Sequence, residues 1–215
     1  MRLVLPRLYV ILDAALITSS ERDCALSLAQ AGVRLLQYRN KSAPARQYLD
    51  SSRKFAELLL PQGVSFFVND RPDVAFLAGA SGVHVGQDDL DVEQARRVVG
   101  SDRLVGVSTH NLEQFERAAA NSADYIALGP IFSTSSKANP DPVVGLDLLR
   151  KMRQLTDKPV VAIGGITLER AASVIEAGAD SVAVISGILS APDPSQRARE
   201  YIETLASAKH HAAAV

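Results

Sequence analysis

The chain has 215 residues, with 23 Lys+Arg against 24 Asp+Glu and a formal net charge of -1 when His is neutral. That balance argues against a nucleic-acid binder driven by counterion release, and the single cysteine, Cys24, excludes an internal disulfide framework or a Cys-rich zinc site. The 47% apolar and 22% charged fractions are those of an ordinary globular chain, and its apolar stretches fall short of the roughly 18–20 residues that span a bilayer.

A repeating pattern runs along the chain: a short apolar, β-branched run, then an Ala/Leu/Glu/Arg-rich stretch of helical period, then a break. The first run is 8–12. The start of the chain through Asp13 is apolar but holds Pro6, Arg7 and Asp13 and lacks a small-residue cleavage pattern. It reads as a first strand rather than a signal peptide, and a cytoplasmic location is expected. An amphipathic helix is predicted over 22–31, a strand over 34–38, and a helix over 44–60 that opens with Pro44 in its first turn. A strand at 65–68, a short helix at 72–78, a strand at 82–85 and a helix at 90–99 follow. Next come a strand at 104–107 and a helix at 112–120 behind Asn111 as N-cap. A strand at 124–128 leads into the longest connection, and a helix is predicted at 146–155. The last units are a strand at 159–163, a helix at 168–177 between Thr167 as N-cap and Gly178 as C′ residue, a strand at 181–185 and a helix at 194–205.

Strands that read as continuous apolar runs are buried on both faces, which means parallel strands covered by helices. Eight strand–helix units without a GxGxxG fingerprint favour a single-domain (β/α)8 TIM barrel over a doubly wound open sheet. No linker divides the chain, and residues 209–215, including His210 and His211, are expected to fray.

Barrel chemistry sits at the C-terminal ends of the strands, and polar residues cluster there. Alternation after the second strand points Gln37, Arg39 and Lys41 the same way. An amide and two cations on one face suit a heteroaromatic base carrying phosphate; a snorkelling surface edge is the other reading. Asn69 and Asp70 precede Arg71-Pro72, which also suits an ordinary turn. Asp70 and Asp89 stand at the ends of neighbouring strands, so their carboxylates can converge as Mg²⁺ ligands beside phosphate oxygens and waters. Asp88 should point away or cap the next helix. His84 faces either the barrel interior or the helices, and a packed, hydrogen-bonded histidine is the more ordinary reading than a metal ligand. Ser108 can donate to a phosphate; His110 is a ligand contact, an acid/base or a loop residue. The connection after the sixth strand carries Ser133, Thr134, Ser135 and Ser136 and then Lys137. Hydroxyls and an ammonium on a long barrel loop are phosphate-binding chemistry. Backbone N–H groups near Gly164-Gly165 and Ile185-Ser186-Gly187 are expected to complete a phosphate site.

The ordered set Q-x-R-x-K, N-D, GVHVGQDD, GVSTH, DYIALGPIF-x-T-x-S-K, PVVAIGGI and GADSVAVISGI resembles the thiamine-phosphate synthase family from about Tyr9 to Leu189. The resemblance implies a Mg²⁺-dependent barrel enzyme that joins 4-amino-2-methyl-5-(diphosphooxymethyl)pyrimidine to a thiazole phosphate and releases pyrophosphate. It implies that Gln37, Tyr38, Arg39, Asn40 and Lys41 hold the pyrimidine diphosphate, with Arg39, Lys41, Ser108 and Lys137 catalytic. Asn69 would contact the pyrimidine, and Asp70 and Asp89 the metal. Thr134, Ser135, Ser136, Gly165, Ile185 and Ser186 would line the thiazole phosphate. Ser136 stands where the family usually has a second Thr, and Asn40 where it usually has Glu. The implied route is dissociative, with a pyrimidine-methyl cation captured by the thiazole nitrogen, and CO₂ lost from a carboxylated thiazole. Partners are then small molecules, with no nucleic acid or membrane and with homo-oligomers possible. Rival readings are a thiazole tautomerase of the same fold and a non-catalytic phosphate-ligand-binding regulator. Other phosphate-binding barrels, such as pentose-phosphate epimerases, would need acid/base residues inside the barrel, which the motifs do not supply.

Overall fold

The computed structural model describes residues 3–134 and 141–208. Eight parallel strands close into a barrel in chain order: β1 Leu8–Asp13, β2 Leu35–Arg39, β3 Ser65–Asn69, β4 Gly82–Val85, β5 Leu104–Thr109, β6 Tyr125–Leu128, β7 Val160–Ile163 and β8 Ser181–Val184. β1 pairs with both β2 and β8, which closes the cylinder. The helices are α1 Glu21–Gln30, α2 Ala45–Leu59, α3 Pro72–Ala78, α4 Val92–Val99, α5 Leu112–Ala120, α6 Gly145–Arg153, α7 Leu168–Glu176, α8 Ser186–Leu189 and α9 Pro194–Ser207. Among the described residues, no helix is long and apolar enough to cross a membrane.

Local signals mostly act where expected. Asn111 accepts from the Gln114 N–H at 3.0 Å and starts α5. Asp91, not Asp88, caps α4 and forms a reciprocal capping box with Gln94. Thr167 precedes α7 without a side-chain cap, and Gly178 ends the helix with φ at +108°. α8 is a single turn for which the sequence carries no signal, and β8 stops at Val184, one residue before the expected end at Ile185. β5 runs two residues further than expected, to Thr109.

Period-2 alternation divides the strand residues into two sets. Outward residues such as Val10, Leu12, Leu36, Tyr38, Val68, Val83, Val105, Ile126 and Val182 pack against the helices. Inward residues Tyr9, Ile11, Leu35, Phe67, Tyr125, Ala127, Val161 and Ala183 form a separate core inside the cylinder. Three rings plug its lower half, with centroids 6.0 Å apart for Tyr9–Phe67, 6.1 Å for Tyr9–Tyr125 and 5.7 Å for Phe67–Tyr125. Neighbouring strands give up side chains to admit them. A Cβ at Gly82 would lie 2.6 Å from Phe67 Cε1, and one at Gly106 would lie 2.0 Å from Tyr125 Cζ. Above this apolar layer the inward positions turn polar, and there the barrel opens.

Candidate active site

The open end of the barrel holds a cavity of about 720 Å³. Gln37, Arg39, Lys41, Asn69, Asp70, Asp89, Ser108, Thr134, Gly165, Ile185 and Ser186 all line it. They come from the ends of seven strands, β2 to β8, and the loops beyond them. Ser135, Ser136 and Lys137 lie outside the described residues, as do 209–215.

Two expected binding residues do not line the cavity. Tyr38 is buried on the helix side of β2, where its hydroxyl donates to Glu21 Oε2 at 2.9 Å. Asn40 shapes the turn after β2 instead: its Oδ1 accepts from the N–H groups of Ser42 and Ala43, at 3.2 and 3.0 Å. Both lie one position out of phase with Gln37, Arg39 and Lys41, and alternation sends them away from the barrel axis. Asp88 does line the rim, where the sequence reading turns it away.

Asp13 is a site residue absent from the sequence reading. It ends β1, faces inward, and forms an ion pair with Arg39 while being largely buried. Its Oδ1 also accepts from the Ala15 N–H at 3.1 Å. A carboxylate tied at both oxygens fixes the guanidinium beside it, so Arg39 is held in place before any ligand arrives. The rule used for the other strands, a polar residue ending an apolar run, would have found Asp13 in LYVILD.

Asp70 has a left-handed backbone, with φ at +63°, and its N–H donates to the His84 carbonyl at 2.8 Å. Aspartate tolerates this region better than most residues, and the turn sets its carboxyl against Asp89. Asp89 is oriented by the Gly86 N–H, which donates to its Oδ2 at 2.7 Å. Lys41 Nζ lies 3.5 Å from Asp70 Oδ2. Burial, followed by the hydrogen bond and charge of Asp89, pushes the Asp70 carboxyl up to about 6, against the pull of Lys41.

His84 lies inside the barrel, buried, with Nδ1 2.9 Å from Tyr125 Oη and Nε2 2.9 Å from Ser108 Oγ. Burial lowers its pKa to about 4, so the ring is neutral at ordinary pH. Of the two orientations open to His84 in sequence, the structure selects the interior, and it places Asp13, Tyr9 and Tyr125 there as well, which their apolar neighbours along the strands conceal. His110 donates from Nδ1 to the Gly129 carbonyl at 2.6 Å and stands 3.6 Å from Asp141 Oδ2, at the far end of the long connection.

Besides lining the cavity, Gly165 permits a close contact within the protein. A Cβ there would lie 2.3 Å from the Ser133 carbonyl oxygen, so the close approach is between the β7 and β6 loops. Across this junction Arg170 stacks on Phe132, 4.8 Å from the ring centroid, and its Nη1 donates to the Gly165 carbonyl at 3.2 Å.

Cations, paired carboxylates and glycine turns at the C-terminal rim of a closed parallel barrel are the features of a barrel enzyme that takes small molecules. Residues 8–188 match the family model described as thiamine monophosphate synthase. The chain is 54% identical over 210 residues to the thiamine-phosphate synthase of Koribacter versatilis, covering 95% of this chain and 98% of that one. It is 44% identical over 195 residues to the thiamine-phosphate synthase of Chloroflexus aurantiacus, covering 90% of each. A solved structure, thiamine phosphate pyrophosphorylase from Pyrococcus furiosus, superposes with a TM-score of 0.86 at 32% identity, covering 94% of this chain and 96% of that one. The chain belongs to the thiamine monophosphate synthase family, and it is a transferase of thiamine biosynthesis.

Proposed function

We propose that the chain couples 4-amino-2-methyl-5-(diphosphooxymethyl)pyrimidine with a thiazole phosphate, giving thiamine phosphate and pyrophosphate, in a Mg²⁺-dependent reaction. The observation that carries this reading is the meeting of Asp70 and Asp89 beside Arg39, Lys41 and Ser108 in one cavity. In that reading the C–O bond between the pyrimidine methylene and the diphosphate breaks, and its electron pair leaves with pyrophosphate. The thiazole nitrogen then donates its lone pair to the methylene carbon. A carboxylated thiazole would lose CO₂ as well.

Gln37 and Asn69 are buried amides at the cavity floor, suited to orient a flat aminopyrimidine. Arg39, pre-set by Asp13, and Lys41 face the charge that builds on the leaving group, joined by the Ser108 hydroxyl and, in sequence, by Lys137. Such fixed cations stabilise a departing anion without reorganising as it forms. Thr134, Gly165, Ile185 and Ser186 line the opposite wall, where the thiazole phosphate would sit beside Ser135 and Ser136.

The donor set fits a divalent ion. Two carboxylates press on each other, and a diphosphate cannot approach them without a cation between. Among the described residues no cluster of three His, Cys, Asp or Glu could hold a metal alone. Asp70 and Asp89 would therefore share the ion with phosphate oxygens and water. When bound, Mg²⁺ supplies charge neutralisation at the diphosphate.

This arrangement has a pH consequence. Folded Asp70 keeps its proton to a higher pH than an unfolded aspartate. Its contribution to stability is present below the ordinary aspartate range and is lost as pH rises through about 6. Without ligand, the melting temperature should fall more between about pH 5 and about pH 7 in the native chain than in Asp89→Asn. Added Mg²⁺ should restore more stability at the higher pH; an equal Mg²⁺ shift at both ends of the range would remove the carboxylate pair from the metal site.

The function itself is tested by incubating the protein with both substrates and Mg²⁺ and measuring thiamine phosphate and pyrophosphate. Stoichiometric products, abolished by a chelator, are expected. Conversion of thiazole isomers without coupling would indicate a tautomerase, and metal-independent binding without turnover a regulator.

A further inference from the structure

Five side chains from five strands form one continuous hydrogen-bonded chain across the barrel interior. Gln37 Nε2 donates to Tyr9 Oη at 2.8 Å. Tyr9 Oη lies 3.0 Å from Tyr125 Oη, and Tyr125 Oη lies 2.9 Å from His84 Nδ1. His84 Nε2 lies 2.9 Å from Ser108 Oγ. Tyr9 and Tyr125 are buried away from the cavity, whereas Gln37 and Ser108 line it at the two ends.

Counting protons gives the chain a direction. Tyr9 accepts from Gln37, and its own single proton has Tyr125 as its remaining partner. Tyr125 then gives its proton to His84 Nδ1. Because Nδ1 accepts, the ring proton of His84 sits on Nε2, which donates it to Ser108 Oγ. Reversing only the Tyr9–Tyr125 bond would strand the Tyr9 proton in the core without an acceptor, which buried donors avoid. Ser108 is thereby made an acceptor on its inner side, and its own O–H is left for the cavity.

Packing alone does not call for these hydroxyls. Phe67 fills the same aromatic layer with no polar atom. Gly106 leaves the space that the Tyr125 phenol end occupies, since a Cβ there would lie 2.4 Å from the Tyr125 oxygen.

We propose that Tyr9, Tyr125 and His84 are positioning residues that act through Ser108, fixing its hydroxyl as a hydrogen-bond donor to the departing diphosphate. The proposal rests on the reading above that places Ser108 on the diphosphate side of the site. It also links the two ends of the substrate: the Gln37 amide that orients the ring is the first donor in the series that orients Ser108.

Imidazole ¹⁵N NMR on the ligand-free native chain near neutral pH reads the His84 tautomer directly. A proton on Nε2 and a bare Nδ1 are expected. A proton on Nδ1 would mean that the Gln37 amide is flipped and every bond runs backwards, with Ser108 donating inward, and the proposal would be overturned. This measurement requires no turnover, so it can fail while the synthase reading stands. In the coupling assay Tyr125→Phe should lower kcat about tenfold, against ~10²-fold for Ser108→Ala, with KM for the diphosphate substrate little changed. Added to Ser108→Ala, it should cost nothing further, because both act through one hydroxyl. Independent, additive losses, or an effect confined to KM, would refute the role. If Tyr125→Phe does not fold, Tyr9→Phe carries the same kinetic expectation, and the tautomer measurement on the native chain decides alone.

Discussion

Asp89→Asn should leave a folded barrel whose coupling rate is lower by on the order of 10³-fold. The substitution removes charge and little else, since the amide oxygen can still accept from the Gly86 N–H that now orients Asp89 Oδ2 at 2.7 Å. What is lost is half of the carboxylate pair that, in the proposed reaction, holds the metal at the diphosphate. Charge stabilisation by a bound metal contributes several kcal/mol to a transition state, and each ~1.4 kcal/mol is a decade in rate. Steady-state pyrophosphate release at saturating Mg²⁺, with circular dichroism to verify folding, is the measurement. Turnover within about tenfold of the native chain would take Asp89 out of the metal site.

Arg39→Ala should lower kcat by roughly 10²–10³-fold and also destabilise the protein, for two separable reasons. In the proposed reaction the rate falls because a fixed cation that would face the leaving group is gone. Stability falls because Asp13, 7% exposed, is left without its partner. Breaking a buried ion pair from one side costs about 3 kcal/mol. The double variant Asp13→Asn/Arg39→Ala should recover most of the stability in urea denaturation and none of the rate. Recovery of turnover in the double variant would show that Arg39 serves folding rather than the reaction.

The barrel was legible because its strands are short, apolar and bounded by helix caps and glycines. Most element boundaries lie within two residues of the expected ones. α8 was missed because a four-residue turn leaves no periodic signature. Tyr38 and Asn40 show the risk of carrying over a whole segment. The alternation that correctly groups Gln37, Arg39 and Lys41 excludes them from the same face.

Sequence alone therefore established the unit count, the parallel closed architecture and the nearness of Asp70 to Asp89. Those follow from local periodicity and from strand order, since consecutive parallel strands lie side by side. Tertiary structure alone decided what fills the cylinder. Tyr9 and Tyr125 are 116 positions apart in the chain, and they share a proton only because barrel closure brings β1 and β6 toward one axis. Asp13 holds Arg39 for a related reason: closure turns the end of each strand toward the same small volume. A linear text records which residues alternate, but the distance across a barrel exists only once its first and last strands have paired.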